Sequence, residues 1–143
     1  ETMSKPIKAG KVVIILAGRY AGKKAIVVKT FDDGNAQRGF GHCLVAGIDQ
    51  NPRAVTKSMS KKKILKRSRV KPFIKFVNYN HIMPTRYTVN DIDVKSVVNP
   101  AIMKKLDTRI EARKAVKTMF EERYINRGKN SSGVQYFFKR LRF

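Results

Sequence analysis

A chain of 143 residues, 42% of them hydrophobic, has material for one folded domain, yet its 32 Lys and Arg against 10 Asp and Glu leave a formal net charge of +22. Self-repulsion on that scale disfavours a compact state unless a polyanion supplies the missing negative charge. The composition excludes a spanning helix, an internal disulfide and a cysteine cage for zinc: the longest apolar run is residues 12–17, against about 20 for a bilayer, and Cys43 is the single cysteine.

Nucleic acid is the polyanion that fits best, because every neutralised phosphate releases condensed counterions. An anionic membrane surface is the rival and calls for an amphipathic or lipidated anchor. Charge alone also suits a disordered tail, but the apolar residues here are organised into runs. No secretory pattern precedes the first run, so the expected compartment is cytoplasmic or nuclear.

Residues 5–55 read as strands. Val12, Val13, Ile14, Ile15 and Leu16 form one aliphatic run and Ala25, Ile26, Val27 and Val28 a second. Between them, Gly18-Arg19-Tyr20-Ala21-Gly22 makes a short glycine-bearing loop, so the pair reads as a β-hairpin. Phe31-Asp32-Asp33-Gly34-Asn35 is a turn signal, which explains the adjacent aspartates better than acid/base chemistry does. A third strand is expected from His42 to Ile48, ended by Asn51-Pro52. Cys43 within it reads as a small buried hydrophobe.

Residues 53–75 carry ten cations and no acid, and nothing acidic occurs between Asp49 and Asp91. A short helix is expected there with Met59, Ile64 and Leu65 on one side. Residues 72–89 return to strand character with apolar residues on both faces, and Pro84 should end or bend the segment. Asn99-Pro100 reads as a helix cap with proline at the first position. A longer helix should open at Thr108, where Thr-Arg-Ile-Glu matches a capping box, with Ile110, Val116, Phe120 and Tyr124 on one side. Gly128 and the loop at 131–133 break it, leaving a tail that is both aromatic and basic.

The hairpin GKVVIILAGRYAGKKAIVVK, residues 10–29, resembles the KOW motif found in ribosomal proteins and some transcription factors. Gly18 and Gly22 permit a tight loop and close backbone approach to a partner, while the flanking cations present charge around it. Turn geometry in a small barrel is the competing explanation for the glycines. The run KKKILKRSRVK, residues 61–71, serves equally as a solvated face, a nuclear-import signal or a phosphate-binding stretch. Phosphate contacts of this kind position a protein without reading sequence. For Phe73, Phe76 and Phe120 burial is preferred to stacking on bases, whereas the tail aromatics are read as open to RNA or to a neighbouring protein. His42 and His81, without clustered carboxylates or thiols, do not make a metal site. No catalytic constellation and no cofactor motif stands out.

Taken in order, the hairpin, HCLVAGIDQNPRAVT, KKKILKRSRVKPFIKFVNYNHIMPTRY, FEERY and FFKRLRF resemble the eukaryotic large-subunit ribosomal protein twenty-seven family over residues 5–143. Gln50-Asn51, residues 131–134 and Tyr136 depart from its usual pattern. The resemblance implies a mixed α+β fold: an SH3-like β-barrel with the KOW hairpin over residues 1–90, holding an inserted basic segment at 53–71, then a basic helical extension over 91–143. It implies a structural, non-enzymatic role in the large (60S) subunit of the cytosolic ribosome. The partners implied are ribosomal RNA and neighbouring ribosomal proteins, with no small-molecule substrate or membrane insertion. The work is cytoplasmic, after nucleolar passage during assembly.

The RNA-contacting set expected is Lys5, Lys8 and Lys11 near the entry, then Gly18, Arg19, Gly22, Lys23 and Lys24 at the hairpin loop. Arg53, Lys57, Lys61, Lys62, Lys63, Lys66, Arg67, Arg69 and Lys71 follow in the basic segment, with His81 and Arg86 after it. Arg113, Lys114 and Lys117 lie on the long helix, and Lys139, Arg140 and Arg142 in the tail. A polymerase-associated KOW protein and a basic chromatin protein are the alternatives. Without RNA, the isolated protein is expected to be poorly soluble and partly disordered after Arg53.

Overall fold

The computed structural model describes residues 7–36, 38–53, 55–90, 92–125 and 132–140. It is a mixed α+β fold. Five strands, β1 (Lys11–Ile15), β2 (Lys24–Phe31), β3 (His42–Gln50), β4 (Lys71–Asn78) and β5 (Ile82–Thr88), form one antiparallel sheet in the order β4-β3-β2-β1-β5. Three helices, α1 (Lys61–Arg67), α2 (Leu106–Ile125) and α3 (Ser132–Phe138), complete it.

The expected strand at 72–89 is two strands. Asn78 caps a single 3-10 turn, Tyr79–His81, by accepting from Asn80 N–H, and the chain reverses into β5. Pro84 bends β5 without ending it. Its missing N–H is tolerated because β5 is an edge strand, and the pairing with β1 shifts register between Lys11 and Val13. Beside the proline, the Thr85 hydroxyl donates to the Val12 carbonyl at 2.6 Å.

Strand residues alternate between two cores, because successive side chains point to opposite faces. Val13, Ile15, Ala25, Val27, Cys43, Val45, Phe73, Val77 and Ile82 fill one cluster, to which all five strands contribute. The sheet therefore curls around it, but the ladder stays open: β4 and β5, joined by the 3-10 turn, are its two edges. On the opposite face Val12, Ile26, Leu44, Ala46 and Ile48 meet Val116 and Phe120 of α2 and Val134, Phe137 and Phe138 of α3. One core thus joins residues from both sides of position 90. The segment beyond Arg53 supplies β4, β5 and all three helices of the described residues.

The long helix begins at Leu106, two residues before the expected cap. Thr108 lies in its first turn, and its hydroxyl donates to the Ile102 and Lys105 carbonyls at 2.7 and 2.9 Å, so it is no N-cap acceptor. The cap at Asn99 is real, its side chain accepting from Ile102 N–H with Pro100 following, but it opens a short 3-10 helix, Pro100–Lys104. In α1, Ser60 accepts from Lys63 N–H, and Leu65 stands 60% exposed.

The aromatic tail is the main departure. Residues expected to form an open chain end instead fold into α3, and Phe137 and Phe138 pack edge-on against Phe120 at 5.2 and 6.3 Å. Gly133 makes this docking possible. A Cβ there would meet the Thr88 carbonyl oxygen at 2.1 Å, so helix and β5 backbone touch directly.

Candidate nucleic-acid interface

The β1–β2 loop is shaped by two glycines in the left-handed region, Gly18 at φ +90° and Gly22 at φ +82°. The Gly22 N–H donates to the Ile15 carbonyl at 2.7 Å and the Ile15 N–H to the Lys23 carbonyl at 2.9 Å, closing the loop at its neck. Tyr20, at the loop's centre, folds back to stack on Phe73, ring centroids 4.1 Å apart and nearly parallel. That inward stacking leaves Arg19 exposed, its guanidinium 5.4 Å above the Tyr20 ring.

Arg19 thereby joins a cleft of about 680 Å³ that gathers charge from separate parts of the chain. Arg53, Lys66, Arg67, Arg69 and Lys71 come from the basic segment and Arg113, Lys114 and Lys117 from α2. Their alignment has a specific cause. Glu121, one turn beyond Lys117, accepts the Val70 N–H at 3.0 Å and pins α2 across the entry to β4. Asp49 is the one acid among the described residues lining the cleft, and it lies 3.8 Å from the Lys71 ammonium. Nine cations against one carboxylate make a surface that a phosphate backbone can neutralise.

A second cleft of about 1280 Å³ shares Asp49, Gln50, Asn51, Arg53 and Arg67 with the first and continues to Lys23, Lys139 and Arg140. A third, of about 440 Å³, holds Gly18 and His81. Lys8, Lys11, Gly22, Lys57, Lys61, Lys62, Lys63 and Arg86 line none of these three clefts; Lys11 and Gly22 are half-buried and the rest exposed. Lys5 and Arg142 lie outside the described residues.

Lys24 needs correction. It was expected to meet RNA, yet it is 5% exposed, and its Nζ donates to the carbonyls of Tyr136 and Lys139, both at 2.8 Å. It lies 3.6 Å from the centroid of the Tyr136 ring. Asn51 donates to the adjacent Phe138 carbonyl at 3.2 Å. Together they hold carbonyls at the end of α3 and just beyond it, where the Tyr136 carbonyl also accepts the Lys139 N–H at 3.2 Å. Asn51 and Tyr136, two of the departures from the family pattern, are thus part of one internal clasp.

Burial, assisted by the nearby Lys139 charge, lowers the Lys24 pKa to about 8 from an ordinary 10.5. The unfolded chain therefore binds more protons between those values, and this group's contribution to stability rises as pH climbs from 8 to 10.5. A neutral amine keeps two N–H donors, enough for both carbonyls, so α3 stays docked. A side-chain NMR titration is expected to show Lys24 deprotonating near pH 8, with amide shifts of residues 134–138 retained. A midpoint near that of ordinary lysines would contradict the buried clasp.

His42, one of the two histidines, is buried: its ring stacks on Phe31 at 4.7 Å and Nδ1 donates to the Phe40 carbonyl at 3.0 Å. Cys43 is buried, and burial raises its thiol pKa to about 12, which leaves it without thiolate chemistry at neutral pH. Among the described residues no group of three or more His, Cys, Asp or Glu is placed to hold a metal, and no helix is long and apolar enough to cross a membrane. Sequence reasoning missed Tyr20, Asn51 and Glu121 as positioning residues. Tyr20 did carry a signal, as an aromatic set between loop cations. Glu121 carried none, since its partner is a backbone N–H fifty-one positions away.

An open antiparallel sheet, a glycine-shaped loop feeding charge into a cleft, and a helix near the C-terminus folded against the sheet make up the described residues. The model for the Ribosomal L27e protein family matches residues 12–143, and the chain belongs to that family.

Proposed function

We propose that this protein is a structural constituent of the large subunit of the cytosolic ribosome, where it binds folded ribosomal RNA and lowers the cost of packing RNA elements together. The curled five-stranded sheet is read as an SH3-like barrel whose β1–β2 hairpin is a KOW motif. The observation that carries the reading is the convergence of Arg19, the basic segment and one face of α2 on a single cleft with one acidic residue. Phosphates running through it replace repulsion among nine cations with attraction, and the contacts position the protein without reading bases. The second cleft extends the track to Lys139 and Arg140 at the end of α3. Neighbouring ribosomal proteins are expected against the remaining surface, and assembly in the nucleolus is expected to precede work in the cytoplasm. No catalytic role is assigned.

Sedimentation of the tagged protein from lysate, with and without magnesium chelation to split the subunits, tests this. The protein is expected to stay with the large subunit after splitting and through a moderate salt wash. Migration with polymerase or chromatin fractions, or near the top of the gradient, would overturn the assignment.

A further inference from the structure

The loop between β2 and β3 is built with more care than a connection requires. Gly34 adopts φ +77°, where a Cβ would meet the Arg38 carbonyl oxygen at 2.5 Å. Asn35 ties the loop across itself: its side-chain oxygen accepts the Arg38 N–H at 2.8 Å and its own N–H donates to the Arg38 carbonyl at 2.7 Å. The buried His42 then fixes the Phe40 carbonyl. The consequence is that Phe40 is held edge-on to the His42 ring, centroids 5.7 Å apart, while remaining 46% exposed.

The surroundings of that ring are cationic. Phe40 lines the cleft of about 440 Å³ together with Arg38, Lys75, Phe76 and His81, and no acid lines it among the described residues. The Arg38 guanidinium already covers Phe76, 4.7 Å from its centroid. An exposed aromatic face beside fixed cations is the arrangement on which unpaired bases stack while their phosphates are neutralised. A protein partner would have to bring an apolar group already flanked by carboxylates to use the ring, Lys75 and Arg38 together, whereas every unpaired nucleotide carries a base and phosphates.

We propose that the Phe40 cleft receives an unpaired nucleobase of the bound RNA, stacked on the Phe40 ring, with Arg38 and Lys75 on its flanking phosphates. This rests on the RNA-binding reading above and adds a base-stacking site to it. The site lies at the β2–β3 loop and β4, apart from the cationic cleft on α2.

The chain contains no tryptophan, so Phe40→Trp in the full-length protein introduces a single fluorescent reporter at the ring in question. Two probes are compared: a single-stranded RNA of about 12 nucleotides and an abasic ribose-phosphate strand of the same length and charge. The RNA is expected to quench the introduced indole and the abasic strand is not, although both bind by anisotropy. Phe40→Ala and Phe40→Leu, the second keeping an apolar contact with His42, are expected to weaken the RNA by about 5- to 100-fold and leave the abasic strand unchanged. Equal responses to the two strands, or unchanged RNA affinity in both variants, overturn the stacking site and leave the phosphate-binding cleft standing. If the indole ignores both strands while Phe40→Ala falls off the large subunit, a protein covers the ring and the proposal fails. If neither strand binds, the RNA-binding reading itself falls and this one with it.

Discussion

Replacing Arg113, Lys114 and Lys117 together by glutamine is expected to weaken binding to large-subunit ribosomal RNA on the order of a hundredfold at about 0.15 M salt. Each phosphate contact contributes about 0.7–0.9 to the slope of log affinity against log salt, so removing three lowers that slope by about 2 to 2.7. All three side chains are exposed on α2 and line the cleft. Glutamine is a good helix former, so the fold itself should be untouched. Filter binding or anisotropy across a salt series, beside a thermal melt, separates the two effects. A uniform loss of affinity with the slope unchanged would mean the cleft does not meet phosphates. The same change at Lys61, Lys62 and Lys63, which line none of the three clefts, should cost markedly less.

Phe137→Ala is expected to lower stability by about 3–5 kcal/mol, a large share of the roughly 5–15 kcal/mol that holds a domain together. Phe137 is 0% exposed and touches Phe120 and Phe138 at ring separations of 5.2 and 5.5 Å. The effect should be local first. A seven-residue helix has no stability of its own in water, so α3 persists only through what it buries and through the Lys24 and Asn51 clasp. Urea titration with amide exchange checks this: the midpoint should drop and the amides of residues 134–138 should lose protection ahead of the sheet. Because Lys139 and Arg140 ride on α3, RNA affinity should fall as well. A loss confined to global stability, with α3 protected to the end, would contradict this order of events.

Much of the architecture was legible in the residues. The hairpin strands, the turn at Gly34, the third strand and the Asn99 cap follow from local chemistry: β-branched runs, glycines able to take positive φ, and a side-chain oxygen within reach of an N–H three residues on. The expectation of a polyanionic partner follows from charge alone, since +22 over 143 residues favours one wherever the cations lie. The family was also within reach, because its segments recur in order along nearly the whole chain.

What local chemistry could not decide was where long-range contacts would place residues of ambiguous use. Lys24 and Arg19 sit on the same hairpin with the same charge. One turns inward to clasp α3 and the other outward into the cleft, because only position 24 meets carbonyls contributed more than a hundred positions away. The tail aromatics read as open because a chain end seldom has its own core, yet Gly133, set against the β5 backbone, lets them enter the core that β1–β3 share with α2. Composition and periodicity thus determined that this chain folds as sheet and helix and carries the charge an anionic partner would neutralise. Tertiary structure alone decided which cations gather in the cleft and which are buried, because that choice depends on contacts between residues whose separation along the chain carries no signal.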